Sequence, residues 1–155
     1  MEILIERRRA LLVLFVAALP VLELRGAIPL GLGMGMDHWH VFFLAVLGNL
    51  LPIYPFVYLL RPLYRWLHRH GRTRAFERIL ARTRVKSATV AKYGAVGLAL
   101  FVAVPLPGTG AWTGALAAFL FGIPKRWALP AITVGTVIAG LIVTFLGETV
   151  KWLFF

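Results

Sequence analysis

The stretch YGAVGLALFVAVPLPGTGAWTGALAAFLFGIP, residues 93–124, carries no charge over 32 residues and is cut near its middle by Pro105-Leu106-Pro107-Gly108-Thr109-Gly110. A helix needs ~20 apolar residues to cross a bilayer, so this run is too long for one crossing and too short for two plus a turn. Proline lacks a backbone donor and glycine adds backbone freedom, so the helix stops at the break. At 1.5 Å per residue the arm from Tyr93 to Val104 is ~18 Å long, close to half of a ~30 Å hydrocarbon core. A hairpin that enters the membrane and returns fits that length, with its tip near the midplane. Thr109 and the adjoining glycines suit an N-cap, and Ala111 to Phe121 reads as the returning helix.

The first part of the chain repeats this plan: an arm from Ala10 to Leu22, a break at Glu23-Leu24-Arg25-Gly26, and a restart at Ala27-Ile28-Pro29, where proline is tolerated in a first helical turn. A short polar turn follows each hairpin, Asp37-His38 in one case and Lys125-Arg126 in the other. Then Trp39 or Trp127, a residue suited to the headgroup level, opens an apolar run that lasts to Leu60 or Gly147. The recurring order of arm, break, arm, turn, tryptophan and crossing reads as an internal duplication. The expected fold class is therefore an all-α integral membrane protein with two inverted repeats, each a re-entrant helical hairpin followed by one transmembrane helix. One membrane domain covers 1–155, with the first repeat at 1–60, a basic amphipathic linker helix at 61–92 and the second repeat at 93–155.

Lys and Arg counts leave two topologies open. Re-entry puts the linker and Lys125-Arg126 in the cytoplasm and both termini outside. If the broken stretches instead span, termini and linker all lie inside, a stronger positive-inside bias. Break chemistry favours re-entry, because non-helical backbone at membrane depth survives only against protein or a water-filled cavity.

Hydrophobic residues make up 60% of the chain against 15% charged, and the mean hydropathy is +0.83, which places it in a membrane. A plasma (inner) membrane of prokaryotic type is expected. Arg7, Arg8 and Arg9 ahead of an apolar stretch resemble a secretory signal, but Pro20 to Gly26 lacks a small-residue cleavage pattern and carries Glu23 and Arg25, so the segment is kept in the fold. The net charge of +11 is concentrated from Arg61 to Lys92, opposed there by Glu77 alone. Beside membrane segments this points to anionic lipid as partner rather than nucleic acid. Phe76, Ile79, Leu80 and Thr83 recur at helical spacing opposite Arg74, Arg78 and Arg82, as in a helix lying in the headgroup plane. The lack of cysteine excludes disulfide and thiolate chemistry.

Glu23 and Arg25 are the charges inside the apolar stretches, where burial is costly unless they pair or act. They form either a structural ion pair or a working site in which Arg25 holds an anionic group and Glu23 takes up and releases a proton. Gly26 and Pro29 belong to the same break. At the second break, next to Pro107, the residues Gly108, Thr109 and Gly110 offer backbone amides at a helix N-terminus, which attracts anions. A cation reading is also open, because carbonyl ends of the first arms and Glu23 gather at the same depth. Asn49 is a further candidate, while Thr133 and Thr136 read as interhelical bonding groups. Trp112 is either packing or a wall of the site. His38 and His40 beside Asp37 lack further ligands, so no metal is expected. No catalytic triad, phosphate-binding lysine motif or cofactor fingerprint appears, so neither an enzyme nor a cofactor is expected.

At these residues the chain resembles the small multidrug export protein family, a distant relative of the DedA group. The matching segments are PVLELRGAIPLGLGMG at Pro20 to Gly35, LGNLLP at Leu47 to Pro52, and KYGAVGLALFVAVPLPGTGAWTGALAAFLFGIP at Lys92 to Pro124. The resemblance implies re-entrant hairpins and transport, with Glu23, Arg25, Pro29, Pro107, Gly108, Thr109 and Gly110 at the family's motif positions. DedA relatives are associated with lipid phosphates, including polyprenyl phosphate, but carry arginines near the second hairpin where PLPGTG has none. The expected function is a small secondary transporter, proton-coupled through Glu23, with a midplane site between the hairpins. Its substrate is an amphipathic lipid phosphate, organic anion or drug-like compound. A chain this small encloses little volume, so a homodimer is expected. A non-transporting scaffold that organises lipid, or a channel, are the alternatives.

Overall fold

A computed structural model describes residues 1–154, with side chains to Thr149, and these are helical with no strand. The helices are α1 (Glu2–Ala18), α2 (Glu23–Gly33), α3 (His38–Arg69), α4 (Arg74–Lys86), α5 (Ala88–Ala103), α6 (Ala111–Leu120) and α7 (Lys125–Phe154). Two helices are long and apolar enough to cross a membrane, α3 and α7, and the pair α4 and α5, bent by 83°, is a third candidate if it counts as one span. The chain divides into two compact units: residues 1–52 with the chain from Thr136 onward, and residues 53–135. Both divisions fall within a long helix, α3 or α7.

In the first unit α1 and α2 pack side by side as a hairpin. The chain leaves α1 four residues earlier than ELRG suggests, and the cause is Pro20. A residue before proline is pushed out of the helical region, and Leu19 is extended at φ −71°, ψ 136°. Residues 19–22 are the turn, and Glu23 to Gly26 is the first turn of α2 rather than a break. Pro29 accordingly lies well inside α2 instead of at its start. Val13 and Ala17 of α1, Leu24, Ala27 and Ile28 of α2, Val41 and Ala45 of α3, and Ala139 of α7 form the core of the unit. Glycines let these helices approach: a β-carbon at Gly48 would stand 2.6 Å from the Leu14 carbonyl oxygen, and one at Gly31 would stand 2.7 Å from both methyls of Val41. The turn after α2 is capped, as Asp37 Oδ2 accepts from the backbone N–H groups of Trp39 at 3.1 Å and His40 at 3.2 Å.

In the second unit α5 and α6 make the other hairpin. Here the expected restart at Ala111 is the observed one, with Gly110 as N-cap. Gly114 lies against Val102, where a β-carbon would come within 2.5 Å of a methyl. Helix α3 runs on through Arg61 and Arg65 to Arg69, so the linker is helical at both ends and the free turn is confined to residues 70–73. Arginine and leucine are good helix formers, so the chain need not stop where the apolar run ends. Helix α4 turns Phe76 onto Tyr64 of α3 and Phe119 of α6, at ring separations of 5.5 and 6.0 Å. Thr83 is buried and Leu80 half-buried on the same side, so much of the apolar face faces protein, leaving Ile79 47% exposed.

Candidate functional site

The candidate residues fall in the two units, Glu23, Arg25, Gly26, Pro29 and Asn49 in the first, Pro107 to Gly110 and Trp112 in the second.

Glu23 is the first residue of α2 and is only 6% exposed. Its φ of +51° is the one left-handed backbone among the described non-glycine residues. Such a conformation costs a non-glycine residue of order 1–3 kcal/mol and clusters at functional sites. The strain follows from the turn: the chain must reverse within residues 19–22, and the Glu23 N–H closes that reversal on the Leu19 carbonyl at 3.0 Å. Arg25, half-buried, sits two residues along, about 200° round the helix. Gly26 lies against the turn, where a β-carbon would stand 3.0 Å from that of Leu22. Pro29 is exposed, about 9 Å along the axis from Glu23, and does not join the group at the turn. Asn49 is 1% exposed on the inward stripe of α3, and its Oδ1 has no hydrogen-bond partner among the described residues.

At the second break Thr109 does not cap α6. Its hydroxyl lies 2.8 Å from the carbonyls of both Val104 and Leu106, tying the loop back to the end of α5. Gly108 turns the chain at φ +78°, a value open to glycine. Gly110 takes the buried cap position, and Thr113 Oγ1 donates to its carbonyl at 3.2 Å. Pro107 and Gly108 are exposed. Trp112 packs on Phe56, ring centroids 4.7 Å apart, and its Nε1 is buried.

Sequence reasoning missed one residue here. The Lys86 ammonium sits at Gly108, so close that a β-carbon there would collide with it. The second break, uncharged in sequence, thus has a cation against its backbone. Lys86 ends α4, and the 83° bend into α5 brings it back over the tip. Nothing in the local sequence marks it, because it reads as one more charge of the basic run.

Two long apolar helices, two hairpins of short helices and a buried charged residue at one hairpin turn define an integral membrane protein. A sequence model of the family described as "Putative small multi-drug export protein" matches residues 23–142, from the start of α2 well into α7. The chain belongs to that family. No curated protein and no solved structure matches it.

Proposed function

We propose that the chain is a small secondary transporter that exports an amphipathic substrate and is proton-coupled through Glu23. The observation that carries this reading is Glu23 itself, a carboxylate 6% exposed at the strained start of a half-length helix in an apolar unit. An intramembrane ionisable group of this kind is expensive to keep and marks ion or proton pathways.

Re-entry of both hairpins is part of the reading. Helices α2 and α6, of 11 and 10 residues, are ~17 and ~15 Å long, about half of a ~30 Å core. A β-carbon at Gly31 would meet Val13 at 3.1 Å, so the arms return along each other rather than continue as one span. At the same end of the first unit Arg7, Arg9, Asp37 and His40 line one groove, which supports entry and exit on one face of the membrane. Two inverted repeats follow from this topology.

Lys86 at Gly108 favours an anionic group on the substrate, a lipid phosphate or organic anion, with the α6 N-terminus as the second source of positive potential. The exposed basic face of α4 is assigned to anionic lipid. The membrane is the plasma membrane, and no catalytic step is involved.

Two measurements test the reading. In proteoliposomes with an imposed pH gradient, Glu23→Gln should lower substrate flux at least tenfold while leaving the protein folded; unchanged flux would remove proton coupling and leave a channel or scaffold. In detergent, a polyprenyl phosphate should raise the melting temperature of the wild type. Stabilisation by tetraphenylphosphonium alone would reverse the sign assigned to the substrate.

A further inference from the structure

A groove of about 390 Å³ opens in the first unit between the start of α1 and the turn from α2 into α3, a volume within the ~300–1,000 Å³ range of small-molecule sites. Its α1 wall is one helix face, since Ile3, Glu6, Arg7 and Ala10 recur at i, i+3, i+4 and i+7, with Arg9 beside them. Asp37 and His40 line the groove from the turn and from α3. Two carboxylates and two guanidinium groups thus share one cavity, yet among the described residues no ion pair involves Glu6, Arg7 or Arg9. Asp37 Oδ2 caps α3, and its Oδ1 lies 3.7 Å from His38 Nδ1, whose closer partner is Glu148 at 3.0 Å. The carboxylate and guanidinium charges balance in number without being matched to one another.

A second groove, of about 480 Å³, shares Asp37 and His40 with the first and continues past Trp39, Phe43 and Leu47. These three recur every fourth residue, so they form a stripe along one side of α3 that covers about 12 Å of its length. All three are exposed. The sequence fixes the depth of both grooves, because the apolar run of α1 begins just after Arg9 and that of α3 just after His40. The charged groove therefore sits at the border of two apolar runs, at the headgroup level that suits Trp39, and the apolar groove leads from it into the hydrocarbon.

We propose that the two grooves bind one phospholipid whose headgroup carries both a phosphate and a primary ammonium. Its phosphate lies on Arg7 and Arg9, its ammonium on Glu6 and Asp37, and an acyl chain along Phe43 and Leu47. Charge complementarity selects the headgroup. Guanidinium groups match phosphate with paired N–H donors, and a primary ammonium donates to carboxylates, which a quaternary choline nitrogen cannot do. A purely anionic headgroup would leave Glu6 and Asp37 facing like charge. The apolar stripe selects a lipid over a soluble zwitterion, because a ligand without a chain gains nothing from Phe43 and Leu47. This site differs from the basic face of α4, where Glu77 is the single acid and anionic lipid is the match. It stands without the transport reading, since it uses neither Glu23 nor the second break.

The experiment is a thermal melt of delipidated protein in detergent, titrated with phosphatidylethanolamine, with phosphatidylcholine of the same chains, and with soluble glycerophosphoethanolamine. Phosphatidylethanolamine at about ten times its dissociation constant should raise the melting temperature by roughly 3–6 °C, saturably. Phosphatidylcholine should need roughly tenfold more for half the shift, and the soluble headgroup should give no shift at equal concentration. Glu6→Gln with Asp37→Asn, and separately Arg7→Gln with Arg9→Gln, should each raise the phosphatidylethanolamine half-point about tenfold. Asparagine keeps the cap on α3, so the first pair should fold. Arg8→Gln, on α1 but outside the groove, should leave the half-point unchanged. Equal half-points for the two phospholipids would overturn the site, as would an unaltered half-point in both double variants or a full shift from glycerophosphoethanolamine. None of these readings involves flux, so the Glu23→Gln measurement decides the transport reading separately.

Discussion

Lys86 is the residue whose position most changes the chemistry of the second break. A compact ammonium at Gly108 adds a point charge where the backbone alone offers partial charges. Lys86→Ala should weaken stabilisation by a polyprenyl phosphate about tenfold in apparent affinity, and Lys86→Arg should retain most of it, read as the ligand concentration for half-maximal thermal shift. An unaltered response in Lys86→Ala would remove this residue from binding. Thr109 acts differently, on the loop's own carbonyls. Thr109→Val keeps the shape and deletes the hydrogen bond, so it should cost about 1 kcal/mol of stability, measured by thermal or denaturant melting. Of the candidate residues named from sequence, Glu23 and Asn49 are buried. Pro29 is not placed at the turn, because Pro20 had already ended α1.

At the scale of elements, the helices meet through glycine. A β-carbon at Gly48 would press on a backbone carbonyl of α1 rather than on a side chain that can rotate away, so Gly48→Ala should destabilise by about 1–3 kcal/mol. Gly33 lies in α2 with nothing within 4 Å of its β-carbon position, so Gly33→Ala should be neutral or stabilise by up to about 1 kcal/mol through the lower helix propensity of glycine. Thermal melts of the two variants side by side check packing against propensity, and equal effects would contradict it. These elements differ in how plainly the sequence announces them. The start of α6 is legible to the residue, since PLPGTG offers no alternative helix. The turn after α1 is legible in kind but misplaced, because charges at Glu23 and Arg25 draw attention from Pro20, the residue with the steric effect. The continuation of α3 to Arg69 is hidden, as arginine marks the end of a membrane run and not the end of a helix. Lys86 at Gly108 depends on the bend between α4 and α5, which leaves no trace in local pattern.

For the whole molecule, oligomeric state and topology both lie outside the single chain's fold. We propose that the chain acts as a homodimer, so crosslinking in native membranes should give a species of twice the monomer mass; monomer alone would exclude it. The second is topology, and the lack of cysteine makes it accessible to single-cysteine labelling. If both hairpins re-enter, each half contributes one net crossing, so the N-terminus and the turn after α3 lie on opposite faces of the membrane. If the broken stretches span instead, those two points share a face. A cysteine at Glu2 and, in a separate variant, one at Arg72 should then react with an impermeant maleimide from opposite sides of sealed vesicles. Helices α2 and α6, at about half the bilayer depth, and the return of α2 along α1 both argue for that outcome, against the stronger charge bias of the spanning arrangement. Labelling of both variants from the same face would exclude re-entry and with it the inverted pairing of the two halves. Glu23 would then have to be reconsidered as a structural charge within a broken span.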